Sequence, residues 1–313
     1  MSGSDKSHVV QPNFINVGPG RCASSWQLEV LESHPQISMA KIKETEFFNT
    51  NFERGTEWYE GLFPQANKAV GEISNCYYTE PEVAERVREY NPEMRIMINV
   101  RNPFSLLNSF HQFGKRRGLP LENLADDLDF EIGRIMGSGY EARQRDGKLT
   151  AGDDVSLVDA VLLTKHLKPF FDCFPASQIY VFVFERLKTE RAAVLREIYD
   201  FLGVDSDFVP EVADEVVNAA IEPKSKFVAR FATRLAFGLR QVGAYRLLDN
   251  LKKSRVVKKA FYSQATDSKK IDPRSVLAPE TCLQIESDMR KMMELYPPLK
   301  KWWEPLLTEA PSV

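Results

Sequence analysis

Residues 18–25, Gly18-Pro19-Gly20-Arg21-Cys22-Ala23-Ser24-Ser25, put two glycines, a cation and two hydroxyls into eight positions. An apolar run, Phe14-Ile15-Asn16-Val17, precedes them. A segment with Trp26, Val30 and Leu31 at helical spacing follows. The turn is therefore expected to join a buried strand to a helix. A helix N-terminus offers unpaired N–H groups and the positive end of its dipole, which together bind anions. Arg21 adds a fixed charge, and Ser24 and Ser25 add donors. A nucleoside-triphosphate loop, G-x-x-x-x-G-K-[ST], would need Gly-Lys where Ala23-Ser24 stand. That argues against a kinase or GTPase. Many strand-turn-helix junctions look similar, so the turn alone is a weak signal.

A second strand end carries Arg101, with Ser109 eight residues later. Asn102-Pro103 is a good N-cap and first-turn pair. It starts a helix on which Ser109 lies two turns in, roughly 10 Å along the axis. A cation at the strand end and a hydroxyl on the helix suit one phosphate held between them. A surface ion pair at Arg101 and an incidental helical serine is the plainer alternative. His111 and His166 are further groups able to take a proton.

These residues need a frame, and the chain supplies one. Its 313 residues are enough for one large α/β domain or two smaller ones. Strands are expected at 14–17, 37–40, 69–73, 95–100 and 179–184. Helices are expected from Ser24 to Ser33, through Val83, Val87 and Tyr90, through Leu106, Leu107, Phe110 and Phe113, and through Leu195, Ile198 and Tyr199. Thr79-Glu80-Pro81-Glu82 reads as a capping box, Thr189 as a cap, and Gly203 as a helix stop. Strand and helix alternate, which predicts an α/β fold: a parallel sheet with helices on both faces. Residues 138–154, rich in Gly and Asp, read as a loop or lid.

Composition excludes several classes. With 43% hydrophobic and 27% charged residues the chain reads as an ordinary globular protein. A net charge of −3 implies no nucleic-acid partner by itself. Cys22, Cys76, Cys173 and Cys282 lie far apart, so neither a zinc site nor a disulfide framework is expected. No apolar run is long enough to span a bilayer, and residues 1–11 are polar without the apolar core of a signal peptide. A cytoplasmic setting is the expectation. Residues 224–259 hold eleven Lys or Arg against Asp249 alone. Phe227, Phe231, Leu235, Leu239 and Val242 recur among them at near-helical spacing, which predicts a basic amphipathic helical arm. Packing of its stripe on the core, contact with ligand phosphates, and docking to an anionic membrane or acidic substrate all remain open for it.

Read together, the segments resemble the superfamily of sulfotransferases that use 3′-phosphoadenosine 5′-phosphosulfate (PAPS), especially its heparan-type and bacterial members. GPGRCASSWQLEVLESHP resembles that family's 5′-phosphosulfate loop and helix. KETEFFN, residues 43–49, resembles the K-E-x-x-F-F stretch that supplies a catalytic carboxylate. GTEWYEGLFP is similar to the G-x-x-W-Y…F-P segment, and RNPFSLLNS to the 3′-phosphate motif, R-[DN]-P with Ser at plus eight. LREIYDFLGV and IDPRSVLAPETCLQIESDM also resemble family segments. The resemblance covers roughly residues 13–296, and its specificity lies in several weak motifs in the correct order. Two positions depart from the pattern. Arg21 stands where the family commonly has Lys, and Glu72-Ile73 stands where heparan-type members have Glu-Lys.

The resemblance implies a P-loop-NTPase-like sheet in a single domain over residues 1–313. Residues 1–11 would be a flexible start and 223–262 the basic arm. It implies a sulfuryl transfer from PAPS to an acceptor hydroxyl or amine, leaving 3′-phosphoadenosine 5′-phosphate (PAP), with no metal. Gly18, Gly20, Arg21, Cys22, Ala23, Ser24 and Ser25 would hold the 5′-phosphosulfate, and Arg101 and Ser109 the 3′-phosphate. Glu44 would be the general base, ahead of Glu46, His111 and His166. Lys43 or the basic arm would replace the charge missing at Ile73. The acceptor would be a small molecule, a sugar or a lipid. The second reading is a protein that keeps PAPS or PAP without transferring sulfuryl, and Ile73 is the residue that favours it.

Overall fold

The apolar runs of the sequence become strands of a five-stranded parallel sheet in the computed structural model. It describes residues 10–137, 140–214, 221–223, 262–264 and 272–307. In chain order the elements are β1 (Phe14–Asn16), α1 (Ser24–Glu32), β2 (Ile37–Met39), α2 (Thr56–Glu60), β3 (Ala69–Ile73), α3 (Val83–Tyr90), β4 (Arg95–Val100), α4 (Pro103–Arg116), α5 (Ile132–Met136), α6 (Tyr140–Arg145), α7 (Leu163–Cys173), β5 (Ile179–Val183) and α8 (Arg191–Leu202). A short antiparallel pair, β6 (Ile221–Pro223) and β7 (Tyr262–Gln264), precedes α9 (Pro279–Leu295) and α10 (Lys300–Trp303). The sheet order is β2-β3-β1-β4-β5. β1 is therefore central, and the connections leave it first toward β2 and then cross to β4. Such a switch point opens a crevice at the carboxyl ends of the strands.

Alternation along each strand divides the core into two layers. Ile15, Val70, Ile96, Ile98 and Val181 face a layer built with α3, α4, α7 and α9. Phe14, Ile73, Met97 and Phe182 face α1 and α8, where Trp26, Val30, Leu195 and Ile198 pack on them. The expected α/β architecture with helices on both faces is what forms. Asn102 caps α4 by accepting from Ser105 N at 2.9 Å, with Pro103 in the first turn. Gly203 ends α8 at φ 73°, a left-handed position that suits glycine.

Three local expectations need correction. Thr79 does not cap α3: its hydroxyl donates to Cys76 O at 3.0 Å inside a 3₁₀ turn, and α3 begins without a side-chain cap. Glu80 turns away to accept from Gly152 N at 3.0 Å and from Asn49 Nδ2 at 3.3 Å. Thr189 lies in the turn before α8 and makes no cap; Glu190 occupies that position. The 138–154 stretch is not all loop, since α6 forms within it. Its tie to the rest of the segment is an Arg143–Asp153 ion pair at 2.5 Å with Asp153 buried. Residues 224–259, the expected basic arm, lie outside the described residues.

Candidate active site

The turn after β1 is held in an unusual shape by the strands beside it. Asn16 and Asn99 are buried at the ends of β1 and β4, and Gln27 of α1 sits over them. Asn16 Nδ2 donates to Gln27 Oε1 at 2.6 Å, and Gln27 Nε2 donates to Asn99 Oδ1 at 3.0 Å. The set then reaches the loop: Gly18 N donates to Asn16 Oδ1 at 3.0 Å, Asn99 Nδ2 to Pro19 O at 3.3 Å, and Gln27 Nε2 to Cys22 O at 3.3 Å. A fully satisfied buried network of this kind fixes one conformation. No short motif marks these three residues. The visible signal was a polar Asn inside each of two apolar strands, which burial tolerates only with partners.

Gly18 has φ 93°, and a Cβ there would lie 2.3 Å from Asn75 O. Arg21 and Ala23 also have positive φ, 64° and 62°. Among the described residues the other non-glycine examples are Glu44 and Glu46, at 61° and 49°. All four fall in the two loops that face each other across the strand ends. Each costs on the order of 1–3 kcal/mol, and such strain gathers at functional sites. Alternate left-handed residues turn successive N–H groups toward one concavity, a shape that binds anions. Among the described residues, no acceptor meets the N–H of Arg21, Cys22, Ala23, Ser24 or Ser25. Donors without partners at a helix start suit a bound phosphate or sulfate.

Cations surround that concavity. Lys43 Nζ donates to Ser24 Oγ at 3.1 Å and lies 4.0 Å from Glu44 Oε1. Burial lowers the Lys43 ammonium below the usual lysine range, opposed by Glu44. Arg21 takes a different direction from the one expected. Its Nε donates to Ser109 Oγ on α4 at 3.3 Å, and its guanidinium lies 4.6 Å from the centre of the Phe113 ring. Arg101 Nη1 donates to the Arg21 carbonyl at 2.8 Å, with its guanidinium 4.4 Å from the centre of the Phe184 ring. The Arg101 Nε is buried and has no partner. Burial, then repulsion from Arg116 and Arg101, brings Arg21 down to about 10. Burial also lowers Arg101. An anion placed here would relieve both effects.

The two groups expected to hold separate phosphates thus form one continuous basic wall: Lys43 and Ser24 at one end, Arg101 and Ser109 at the other, Arg21 between. Cys22 contributes only its backbone, because its side chain is fully buried and burial pushes its thiol up to about 12. Ile73 is buried against α1 and α8, so no charge comes from that strand end; Lys43 brings one to Ser24 instead.

Glu44 is held from several sides. Its N–H donates to Ile73 O at 3.0 Å, and Phe47 and Phe48 anchor the following turn in an aromatic cluster, Phe47 stacked 4.2 Å from Tyr59. Its carboxylate accepts from Asn75 N at 2.6 Å and also from Asn75 Nδ2. Glu46 is nearly buried on the wall of a cleft beside Gly20 and Asn75. Neither histidine lines this cleft. His111 is buried with Nε2 2.8 Å from Asp127 Oδ2. His166 lies against Asp159 O at 3.1 Å, and burial brings it down to about 4.

Comparison with known proteins adds an independent line. The sulfotransferase domain model matches residues 11–233. The chain is 26% identical over 226 residues to the bifunctional heparan sulfate N-deacetylase/N-sulfotransferase 1 of Mus musculus, covering 69% of this chain and 24% of that one. It is 27% identical over 208 residues to the heparan sulfate glucosamine 3-O-sulfotransferase 3B1 of Mus musculus, covering 65% and 48%. The chain thus spans a quarter to a half of the length of these relatives. Among solved structures, a sulfotransferase from Alicyclobacillus acidocaldarius superposes with a TM-score of 0.54 at 26% identity, over 76% of this chain and 100% of that one.

Proposed function

Because the chain belongs to the sulfotransferase domain family, we propose that it moves a sulfuryl group from PAPS to an acceptor hydroxyl or amine. The observation that carries this is the continuous basic wall. Open N–H groups and Lys43 at the loop suit a 5′-phosphosulfate, while Arg101 and Ser109 suit a 3′-phosphate on the same ligand.

Sulfuryl transfer resembles phosphoryl transfer in that the protein mainly positions and neutralises. The acceptor oxygen or nitrogen forms a bond to sulfur as the bond from sulfur to the bridging phosphate oxygen breaks. The electron pair of the broken bond leaves on the 5′-phosphate of PAP. Lys43 and the N–H groups of the loop offset that charge, and the lowered affinity of Lys43 for its proton eases donation to the leaving oxygen. Glu44 takes the acceptor's proton. An ionised carboxylate has about four lone-pair sites, so its two bonds to Asn75 leave room for one more donor.

The second reading, a protein that retains PAPS or PAP without transfer, rests on Ile73. The Lys43–Ser24 contact weakens it, since a cation stands at the loop by another route. Calorimetry with PAP and adenosine 5′-phosphate tests the proposal. PAP should bind at least tenfold more tightly. Equal affinities would sink the assignment, and PAP binding without turnover of PAPS on any acceptor would favour retention.

A further inference from the structure

We infer that Glu72, buried behind the site, is a positioning residue: it sets which way the hydrogen bonds run beneath the loop that carries Glu44. This rests on the sulfuryl-transfer reading with Glu44 as the base. Glu72 stands near the end of β3 and is 1% exposed. The transfer chemistry makes no direct use of it. An ion taken out of water costs several kcal/mol even after relaxation, far more than an apolar side chain of the same size.

Its carboxylate is surrounded by hydroxyls. Tyr77 Oη donates to Oε1 at 2.8 Å, Tyr59 Oη to the same oxygen at 3.2 Å, and Ser74 Oγ to Oε2 at 2.7 Å. Burial pushes the Glu72 carboxyl upward, and the bonds from Ser74, Thr45, Tyr77 and Tyr59 act the other way. Donors aimed at a carboxylate favour its ionised form, which has no proton to give.

The direction of these bonds passes to the loop. With its proton on Glu72, Ser74 Oγ is left as an acceptor, and Glu46 N donates to it at 3.1 Å. Tyr77 Oη is left the same way and takes Phe48 N at 3.2 Å. Thr45 Oγ1 lies 3.2 Å from Tyr77 Oη and must supply the proton of that bond. Its own oxygen then accepts from Phe47 N at 3.3 Å. The N–H groups of Glu46, Phe47 and Phe48 thus all end on hydroxyls whose protons are committed elsewhere. Glu44 and Glu46 stand at positive φ, and such strain persists only where the surroundings over-determine it. Asn75 holds the Glu44 carboxylate from the site; Glu72 fixes the turn that follows from the buried side.

The test uses the full chain and begins with PAP calorimetry, which checks the underlying reading separately. PAP release from PAPS is then followed with a panel of amino sugars, polyols, phenols and water, and the fastest acceptor is kept. Glu72→Gln retains volume but turns one acceptor into a donor that faces a hydroxyl proton. Its kcat should fall about 10- to 100-fold, because a small misplacement of a reacting group costs that much, with PAP affinity within about threefold. Amide exchange over residues 46–48 should quicken about tenfold as their acceptors turn away. Tyr77→Phe is the milder change, keeping the ring and losing one hydroxyl, and its kcat should fall about tenfold. In a Glu44→Gln background the same change should alter kcat by less than about twofold, since no base remains to be positioned. Three results remove the transfer reading and this inference with it: no PAP binding, no PAP release with any acceptor, or Glu44→Gln as fast as wild type. With those excluded, an equal loss from Tyr77→Phe in both backgrounds would show a structural role alone and overturn the inference. Turnover of Tyr77→Phe within about twofold of wild type would overturn it too, and that variant decides the matter if Glu72→Gln does not fold.

Discussion

Arg101→Ala separates the two tasks that the structure gives to one guanidinium. Nη1 braces the turn by donating to the Arg21 carbonyl, while Nε is buried beside it with no partner. The brace acts on the loop and so on any ligand with a 5′-phosphate. A single hydrogen bond of this kind is worth about 1 kcal/mol, roughly fivefold in affinity, lost equally for PAP and adenosine 5′-phosphate. The 3′-phosphate contact is charge-assisted and worth roughly 1.5–3 kcal/mol, about 10- to 140-fold, and only PAP has that phosphate. PAP affinity should therefore fall roughly 50- to 700-fold and adenosine 5′-phosphate affinity about fivefold. Isothermal calorimetry at fixed ionic strength reads both, since salt would weaken the contact. The informative quantity is the ratio of the two affinities. A ratio unchanged within twofold would show that Arg101 only braces the loop, and the 3′-phosphate assignment would fail.

Three further changes follow from the same geometry. Glu44→Gln keeps shape and removes the base, so kcat should drop about 10²–10⁴-fold with PAP affinity within threefold; turnover within threefold of wild type would move the search to Glu46. Gly18→Ala should lower unfolding free energy by about 2–5 kcal/mol, from left-handed strain and overpacking against Asn75 O, read by urea denaturation. His166 is held neutral by burial, its pKa brought down to about 4 from 6.5. A lowered folded-state value contributes stability that is full above pH 6.5 and is lost as pH falls toward 4. His166→Asn should remove up to about 1.4 kcal/mol per pH unit of that acid sensitivity, and equal pH slopes for the two proteins would refute the assignment.

The sequence by itself determined much of the frame. Apolar runs at 69–73 and 95–100 became β3 and β4 at the expected residues, and Asn102-Pro103 capped α4, because these features depend on neighbours within a few positions. Chemistry-bearing residues were visible for the same reason: Gly18, Arg21, Lys43, Glu44, Arg101 and Ser109 stand in short segments with recognisable order. The capping box at Thr79 and the cap at Thr189 were local readings that failed. Thr79 found a carbonyl in its own 3₁₀ turn, and Glu80 found a donor 72 residues away at Gly152.

Tertiary structure decided how the groups meet. Arg21 and Ser109 are 88 residues apart, and Arg101 and the Arg21 carbonyl are 80 apart. They touch because β1 and β4 are neighbours in the sheet, a pairing that no local pattern specifies. The Asn16–Gln27–Asn99 network, the grip of Asn75 on Glu44 and the bond from Gly152 to Glu80 arise in the same way. Periodicity reports which face of an element is buried. Which buried face meets which is set by strand order and packing across the whole chain, and on that the chemistry of the site depends.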